Sequence, residues 1–270
     1  MKKIKKIFFK GPYFPSHDEN RMKNEGDLAV AREDFLSNRF TNVDFLLKSR
    51  FNWMNRYLKD DMKIVEVGAG AGFSELYLNK KPLITDAVEN PWVDKYIDAT
   101  KMDFEDSSID IIIASHTIHH FYNPAMFFFE CIRVLKKGGK IIISEIHTAF
   151  FMRLLLTAMR HEGYSYDIDI FNLKSIVNDK RDLWSANCAV PEILFNDQNE
   201  FENYFQNLKI DRKEYCEFSI FPLSGGVTAK TLMPRLPVFV LKSFNFLDNI
   251  LVKLFPKIFA LGMRVVISKR

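Results

Sequence analysis

Short apolar runs alternate with helix-like segments through the middle of the chain. The runs are rich in β-branched residues and predict strands over 63–67, 82–86, 109–114 and 139–145. Apolar positions at helical spacing between these runs predict helices over 73–79 and 124–135. Because parallel strands need crossover helices that cover both faces of a sheet, the alternation indicates an α/β fold.

The pattern changes on both sides of this segment. Residues 1–25 are polar and predict a loose arm, and 27–59 carry apolar residues at the spacing of one or two helices. After residue 147, a helix is predicted over 150–159, and 160–200 is polar and irregular. The flanks are therefore expected to add to a central sheet rather than to repeat its pattern.

Two apolar stretches near the end of the chain, 208–221 and 263–269, predict an antiparallel pair of strands that finishes the sheet. Residues 234–261 between them predict a helical insertion. In this insertion the polar residues form one narrow helical stripe, made of Lys242, Asn245, Asn249 and Lys253.

Composition and charge narrow the class of protein. The 270 residues are 47% hydrophobic and 27% charged, which argues against a disordered, collagen-like or coiled-coil chain. A net charge of +4 gives no reason to expect a nucleic-acid partner. Three cysteines, Cys131, Cys188 and Cys216, lie far apart without metal-type spacing, so we expect no metal, no disulfides and a reducing cytoplasmic location.

A glycine-rich loop follows the first predicted strand. Gly68, Gly70 and Gly72 allow the backbone to turn tightly and to approach a ligand closely. The acid Glu66 beside the loop suits an amine-bearing ligand better than a pyrophosphate. Because Phe73 stands where a dinucleotide fingerprint requires its last glycine, the loop disfavours a nicotinamide oxidoreductase.

Further motifs follow in order over 64–145. They are Asp98-Ala99, Met102-Asp103-Phe104, Asp106, Ser108, Asp110, and the run from Glu130 to Gly139, read as ECIRVLKKGG. With the glycine loop, they resemble the class I S-adenosylmethionine-dependent methyltransferases, in particular the small-molecule, methyltransferase type 11-like branch. The resemblance implies a Rossmann-like seven-stranded sheet, mostly parallel with an antiparallel last strand.

The same resemblance implies roles for the cofactor-binding residues. The residues concerned are Glu66, Gly68, Ala69, Gly70 and Gly72 for the methionine part, Asp86 for the ribose, Asp98 and Ala99 for the adenine, and Ser115 and His116 for closure over the methionine end. The spacing from Gly72 to Asp86 is shorter than usual, so the first helix must be short. Glu89 and Asp94 remain alternatives to Asp86.

Methyl transfer to a hydroxyl benefits from a general base, most often histidine. The candidates are His116, His119, His120, His147 and Glu145, and all lie at or just past the carboxyl ends of the predicted strands 109–114 and 139–145. We take His120, His147 and Glu145 as the predicted catalytic residues. For any one histidine, a capping or core role is an equal alternative. The segment Arg160-His161-Glu162 is a further candidate wall of the acceptor pocket.

The predicted organisation has three parts. Residues 1–60 form a helical N-terminal arm or lid, 61–147 form the S-adenosylmethionine-binding Rossmann-like core, and 148–270 form an acceptor-side insertion that completes the same domain. The predicted function is methyl transfer to a small-molecule, sugar or lipid-linked acceptor by in-line displacement, at oxygen. The alternative is a cofactor-binding scaffold or regulatory protein that transfers no methyl group.

Three alternative environments would suit the apolar insertion. It packs against the sheet or against a partner subunit, as in a homodimer; it walls a pocket for an apolar acceptor; or it lies in a membrane interface. In the last case 236–261 and the basic segment 1–10 both contact the inner face of the membrane. No uncharged apolar stretch reaches the roughly 18 residues of a spanning helix.

Overall fold

The computed structural model describes residues 11–15, 26–182, 184–228 and 231–270. The basic segment 1–10, which we predicted as one of two membrane contacts, lies outside the described residues. The helices are α1 (Leu28–Asn38), α2 (Thr41–Phe51), α3 (Pro124–Val134), α4 (Phe150–Met159), α5 (Val190–Asn196), α6 (Gln198–Tyr204), α7 (Ile220–Ser224), α8 (Val238–Leu254) and α9 (Pro256–Phe259).

A seven-stranded sheet runs through the centre of the fold in the order β3-β2-β1-β4-β5-β7-β6. Its strands are β1 (Ile64–Val67), β2 (Leu83–Asp86), β3 (Lys95–Tyr96), β4 (Ile109–Ser115), β5 (Leu135–Ile146), β6 (Leu208–Cys216) and β7 (Gly262–Lys269). Only β7 runs against the other strands, pairing antiparallel with β5 and β6. The predicted fold class and the predicted terminal strand pair are therefore confirmed.

The two faces of the sheet bury different layers of side chains. On β4, Ile112 packs into the core on one face, whereas Ile111 and Ile113 pack into the core on the other. Both layers are rich in phenylalanine: Phe127, Phe128, Phe195, Phe201 and Phe205 lie on the first side, and Phe35, Phe51 and Phe73 on the second. Much of the phenylalanine in the chain is therefore ordinary core packing.

Several predicted boundaries differ from the observed ones. The helix predicted over 73–79 is only a 3₁₀ turn, Phe73–Leu76, because the chain must reach β2 within a few residues. Residues 160–200, predicted as irregular, include α5 and the start of the next helix, α6. Both helices have seven residues, too few to show a clear period. The predicted strand over 208–221 stops at Cys216, and the two-residue β3 was not located from sequence.

Helix α8 contacts the fold through a narrow face. Leu241, Asp248 and Val252 are its buried residues, so burial against the sheet, one of the environments considered for this helix, does not account for most of its surface. Phe218 N and Ile220 N donate to Asp248 Oδ2 at 3.2 and 3.1 Å, and Ser219 Oγ donates to Oδ1 at 2.7 Å. Asp248 thus ties α8 to the start of α7 and determines which face of α8 points outward.

The outward face of α8 is apolar. Its exposed residues include Phe239, Phe246, Leu247, Ile250 and Leu254. On a helix of about 100° per residue, these five side chains fall within an arc of about 100° opposite the buried face. Among the described residues, no helix is both long enough and apolar enough to cross a membrane.

Candidate functional site

A cavity of ≈ 570 Å³ lies at the carboxyl ends of β1, β2 and β4. Open parallel sheets bind ligands at this edge, where neighbouring strands connect in opposite directions. Eight of the predicted cofactor-binding residues line it: Gly68, Ala69, Gly70, Asp86, Asp98, Ala99, Ser115 and His116. Glu66 and Gly72 are not among the lining residues.

The glycine loop needs its glycines for two separate reasons. Gly68, Gly70 and Gly72 all have φ between +54° and +65°, which favours glycine over residues with a Cβ. A Cβ at Gly68 would overlap Thr117, and one at Gly72 would lie 2.6 Å from Trp92. At Gly70 the nearest atom would be 3.8 Å away, so the space beside Gly70 is open to the cavity.

Asp86 holds the glycine loop at the end of β2. Its Oδ2 accepts a hydrogen bond from Gly70 N at 2.7 Å, and its Oδ1 accepts one from Val88 N at 3.0 Å. Burial raises the pKa of Asp86, and these amide hydrogen bonds oppose the rise. The alternatives Glu89 and Asp94 do not line the cavity, and Asp94 instead accepts from Ile84 N at 2.9 Å.

Asp98 and Ala99 form another part of the same wall. Asp98 Oδ1 accepts hydrogen bonds from Thr100 N at 2.8 Å and from Thr100 Oγ1 at 2.6 Å. Lys180 Nζ lies 3.8 Å from Asp98 Oδ2 and also lines the cavity. The wall therefore offers hydrogen-bond acceptors at Asp86 and Asp98 to a ligand that carries hydroxyl and amino groups.

Glu66 lies on β1 and is almost fully buried. Its Oε2 accepts a hydrogen bond from Ser74 Oγ, in the 3₁₀ turn that follows the glycine loop. Burial raises the pKa of Glu66 to about 8, and the hydrogen bond from Ser74 opposes this rise. In the folded protein, Glu66 is therefore mainly neutral at pH 7.

His116 has a left-handed backbone, with φ of +52°, and lines the cavity. Burial and then the positive charge of Arg50 lower the pKa of His116 to about 3, so its imidazole is neutral. Its Nε2 has no hydrogen-bond partner among the described residues. Arg50 itself lines the cavity and forms a buried ion pair with Glu217, at 2.8 Å between Nη2 and Oε2. A neutral imidazole with a spare nitrogen suits a polar ligand atom.

Glu145 organises the turn that follows β4. Its Oε1 accepts hydrogen bonds from Thr117 N at 2.8 Å and Ile118 N at 2.6 Å. Its Oε2 lies 2.7 Å from His119 Nδ1. Burial would raise the pKa of Glu145, but the charge and hydrogen bond of His119 lower it to about 2. For His119 burial acts in the other direction and would lower the pKa, but Glu145 and Glu162 raise it to about 10.

Glu162, which follows α4, lies at the centre of a cluster of imidazoles. Its Oε1 is 3.5 Å from His120 Nε2 and 3.4 Å from His161 Nε2, and its Oε2 is 3.7 Å from His119 Nε2. Cys188 Sγ donates a hydrogen bond to Oε2 at 3.1 Å. Burial opposes ionisation, yet the hydrogen bond and the positive charge of His119 hold the pKa of Glu162 well below its usual value.

The predicted catalytic residues occupy different environments. His120 lines the cavity, whereas Glu145 and His147 do not. His147 is buried behind the cavity, where its Nδ1 lies 3.0 Å from the carbonyl oxygen of Ala260 and its ring packs on Tyr215. His161 and Glu162, suggested from sequence as a pocket wall, do line the cavity. Cys188 was missed because no second cysteine or histidine stands near it in the sequence.

One part of the cavity wall is apolar. It comes from α1, α2, α4, the end of β5 and the segment around α7, and includes Leu28, Leu47, Phe51, Ile146, Met152, Met159, Phe221 and Val227. Phe221 and Val227 also pack against a small cluster of buried residues that includes Leu241 of α8. The cavity therefore joins a polar wall to an apolar wall that lies against α8.

Comparisons with known proteins agree with the geometry. Residues 65–143 match a family model described as a methyltransferase domain. No curated protein sequence matches the chain.

Solved structures resemble the fold at low sequence identity. A SAM-dependent methyltransferase from Archaeoglobus fulgidus is 18% identical, with 83% of this chain and 93% of that chain covered and a TM-score of 0.52. A SAM-dependent methyltransferase from Methanosarcina mazei is 16% identical, with 81% and 97% covered and a TM-score of 0.43. The fold comparison rests on the Archaeoglobus structure.

The raised pKa of Glu66 makes the stability of the fold depend on pH. Between pH 4.5 and about 8 the native state holds a proton at Glu66 that the unfolded chain has released. The free energy of unfolding therefore loses about 1.4 kcal/mol per pH unit from this group as pH rises through that window, and levels off above it. We expect Glu66→Gln to remove this contribution.

Urea unfolding at pH 5, 6, 7 and 8 measures how the free energy of unfolding changes with pH. Glu105→Gln is the control, because Glu105 is exposed. Between pH 5 and pH 8, the free energy of unfolding of Glu66→Gln should fall less than that of the wild type and that of the control. Equal slopes for all three proteins would show that Glu66 is not a buried neutral acid.

Proposed function

We propose that the chain, whose residues 65–143 match a methyltransferase domain, is a class I S-adenosylmethionine-dependent methyltransferase, and that its cavity binds S-adenosylmethionine beside an acceptor whose oxygen receives the methyl group. One observation carries the proposal. The open space beside Gly70 and the carboxylates of Asp86 and Asp98 share a single cavity with the imidazole of His120. Binding groups for the cofactor and a base for the acceptor are thus within one enclosure.

The cofactor wall supplies binding and orientation. Asp86 accepts hydrogen bonds from the ribose hydroxyls, and Asp98 with the amide of Ala99 contacts the adenine edge. Gly68, Ala69 and Gly70 allow close approach of the methionine part, while Gly72 and Glu66 shape the loop from beneath. Ser115 and His116 close the methionine end, with His116 Nε2 available as a polar contact.

When bound, the sulfonium supplies an electrophilic methyl group for in-line displacement. His120 acts on the other reactant and takes the proton from the acceptor hydroxyl. Its Nδ1 lies 3.2 Å from the carbonyl oxygen of Ser185, so Nδ1–H donates there and Nε2 remains the basic nitrogen. The carboxylate of Glu162, 3.5 Å from Nε2, stabilises the imidazolium that forms.

The acceptor that fits this cavity is amphipathic. Its hydroxyl end lies against His120, and its apolar part lies among Leu47, Phe51, Met152 and Phe221. Burying an apolar group against such side chains contributes about 25 cal/mol per Å². A lipid-linked or prenylated acceptor satisfies both ends, whereas a sugar alone leaves the apolar wall without a partner.

We further propose that α8 docks on an anionic membrane surface, where such an acceptor would be found. The outward face of α8 carries Phe246, which is 65% exposed, and Leu254, which is 63% exposed. The exposed Lys242 and Lys253 lie along one edge of this apolar arc, and Asp248, the one acid in 238–259, is buried. Apolar side chains flanked by lysines fit the boundary between headgroups and acyl chains.

The cofactor half of the proposal is tested by calorimetry with S-adenosylhomocysteine, and the chemical half by methyl transfer to hydroxylated acceptors with alkyl or prenyl tails. Gly70→Arg fills the open space and should abolish both binding and transfer. His120→Gln should keep the Kd within a few-fold but lower kcat by about 10²-fold or more, since a general base contributes on that scale.

Two control variants separate these roles from general damage. Gly138→Arg introduces the same side chain at another glycine of positive φ, +77°, with open space around it and outside the cavity, so binding should persist. His147→Gln alters a buried histidine outside the cavity lining and should retain transfer. Failure of the wild type to bind S-adenosylhomocysteine contradicts the proposal, and binding without transfer to any acceptor favours the scaffold alternative.

Membrane docking is tested by flotation with phosphatidylserine-containing vesicles and with phosphatidylcholine vesicles. The wild type should bind the anionic vesicles, and Phe246→Asp should weaken binding about tenfold, because a buried phenylalanine contributes about 1.5–3 kcal/mol. Ile176→Asp is the matched control, since Ile176 is also 65% exposed but lies far along the chain from α8. Loss of a dimer in Phe246→Asp, without vesicle binding by the wild type, would instead identify the face as a subunit interface.

A further inference from the structure

Three side chains of different chemistry converge at one edge of the cavity. Cys188 Sγ lies 3.1 Å from Glu162 Oε2, and His119 Nε2 lies 3.7 Å from the same oxygen. The sulfur, nitrogen and oxygen atoms all lie within 4.8 Å of one another. A tetrahedral zinc ion with bonds of about 2.0–2.3 Å separates its ligand atoms by about 3.3–3.6 Å. The donor atoms are therefore near metal-ligand spacing already.

We propose that His119, Glu162 and Cys188 bind a divalent transition-metal ion of the zinc class. A set of one imidazole, one carboxylate and one thiolate is typical of borderline cations and unlike the all-oxygen sites of calcium and magnesium. The sequence indicated no metal because these three residues are widely separated along the chain.

Backbone hydrogen bonds hold the three ligand-bearing segments together. Asn187 N donates to the carbonyl oxygen of His119 at 2.9 Å, and Cys188 N donates to that of Gly163 at 2.9 Å. Gly163 and Asn187 also form a parallel β-bridge. The segment before α5 is thus attached both to the turn after β4 and to the residue that follows Glu162, so the ligands are positioned by the main chain.

A second layer of contacts also suits a metal ion. Glu145 holds the Nδ1 of His119, which leaves Nε2 directed at Glu162 and Cys188. Histidine ligands of metal ions commonly donate their other ring N–H to a carboxylate in this way. When the ion binds, Cys188 Sγ–H and His119 Nε2–H release their protons to solvent, and the metal takes the place of both.

The remaining coordination position faces the cavity. His119 and Glu162 line the cavity, and the imidazoles of His120 and His161 lie against the other oxygen of Glu162. Three protein ligands with an open fourth position are typical of catalytic zinc sites, where the ion binds a substrate oxygen and lowers the pKa of its proton. That role rests on the proposed function, whereas metal binding itself does not.

Cobalt substitution tests the site without any assay of activity. The full-length protein is stripped with a chelator, titrated with Co²⁺ and followed by absorbance, then titrated with Zn²⁺. We expect visible d–d bands together with a thiolate-to-cobalt charge-transfer band in the near ultraviolet, saturating at about one ion per chain and bleached by zinc. Cys188→Ser should lose the charge-transfer band, and Glu162→Gln should weaken binding by tenfold or more.

Cys216→Ser is the matched control, because Cys216 is also a buried free thiol but lies outside the three-residue cluster. It should keep the full cobalt spectrum. Since Cys188 is fully buried, the thermal unfolding of each metal-free variant is measured, and the partly exposed Glu162 provides a second variant should Cys188→Ser not fold.

Absence of the charge-transfer band in the wild type, or its persistence in Cys188→Ser, overturns the metal site. A protein that binds S-adenosylhomocysteine but no metal keeps the proposed function and loses this inference. A protein that binds cobalt through Cys188 but does not bind S-adenosylhomocysteine keeps the metal site and loses the proposed function.

Discussion

The buried carboxylate of Glu145 joins the ends of the two central strands. It accepts hydrogen bonds from the amides of Thr117, Ile118 and Ile146 and contacts the imidazole of His119. A buried charge is costly unless it is fully paired, and these four contacts satisfy it. Because the turn after β4 carries His120 into the cavity, the geometry of the whole histidine cluster depends on this one side chain.

The parallel sheet explains why the groups proposed to bind the cofactor and the acceptor meet. Parallel strands bring the loops after β1, β2 and β4 to one edge, so Gly70, Asp86 and His120 share a cavity although they are far apart in sequence. The C-terminal half contributes the opposite wall through Glu162 and Phe221. One scaffold thus combines a polar cofactor side with an apolar side that lies against α8.

Local patterns were sufficient to predict most of the fold and one wall of the site. β-Branched runs predicted the long strands, and the glycine loop with its neighbouring motifs predicted eight lining residues. Short elements such as β3 and the seven-residue helix α5 were missed because they are too short for a periodic signal. The surroundings of His147 and Cys188 were not predicted for another reason: they are set by distant segments, at Ala260 and Gly163, that a sequence pattern does not reveal.

Hydrogen–deuterium exchange with and without S-adenosylhomocysteine tests the central claim most directly, because it locates the ligand without knowledge of the acceptor. The account predicts slower exchange in 68–72, 86–88, 98–100 and 115–120, the segments that form the cofactor wall, and unchanged exchange in β6. Protection confined to other segments, or no protection at saturating ligand, would contradict the assignment of this cavity to the cofactor.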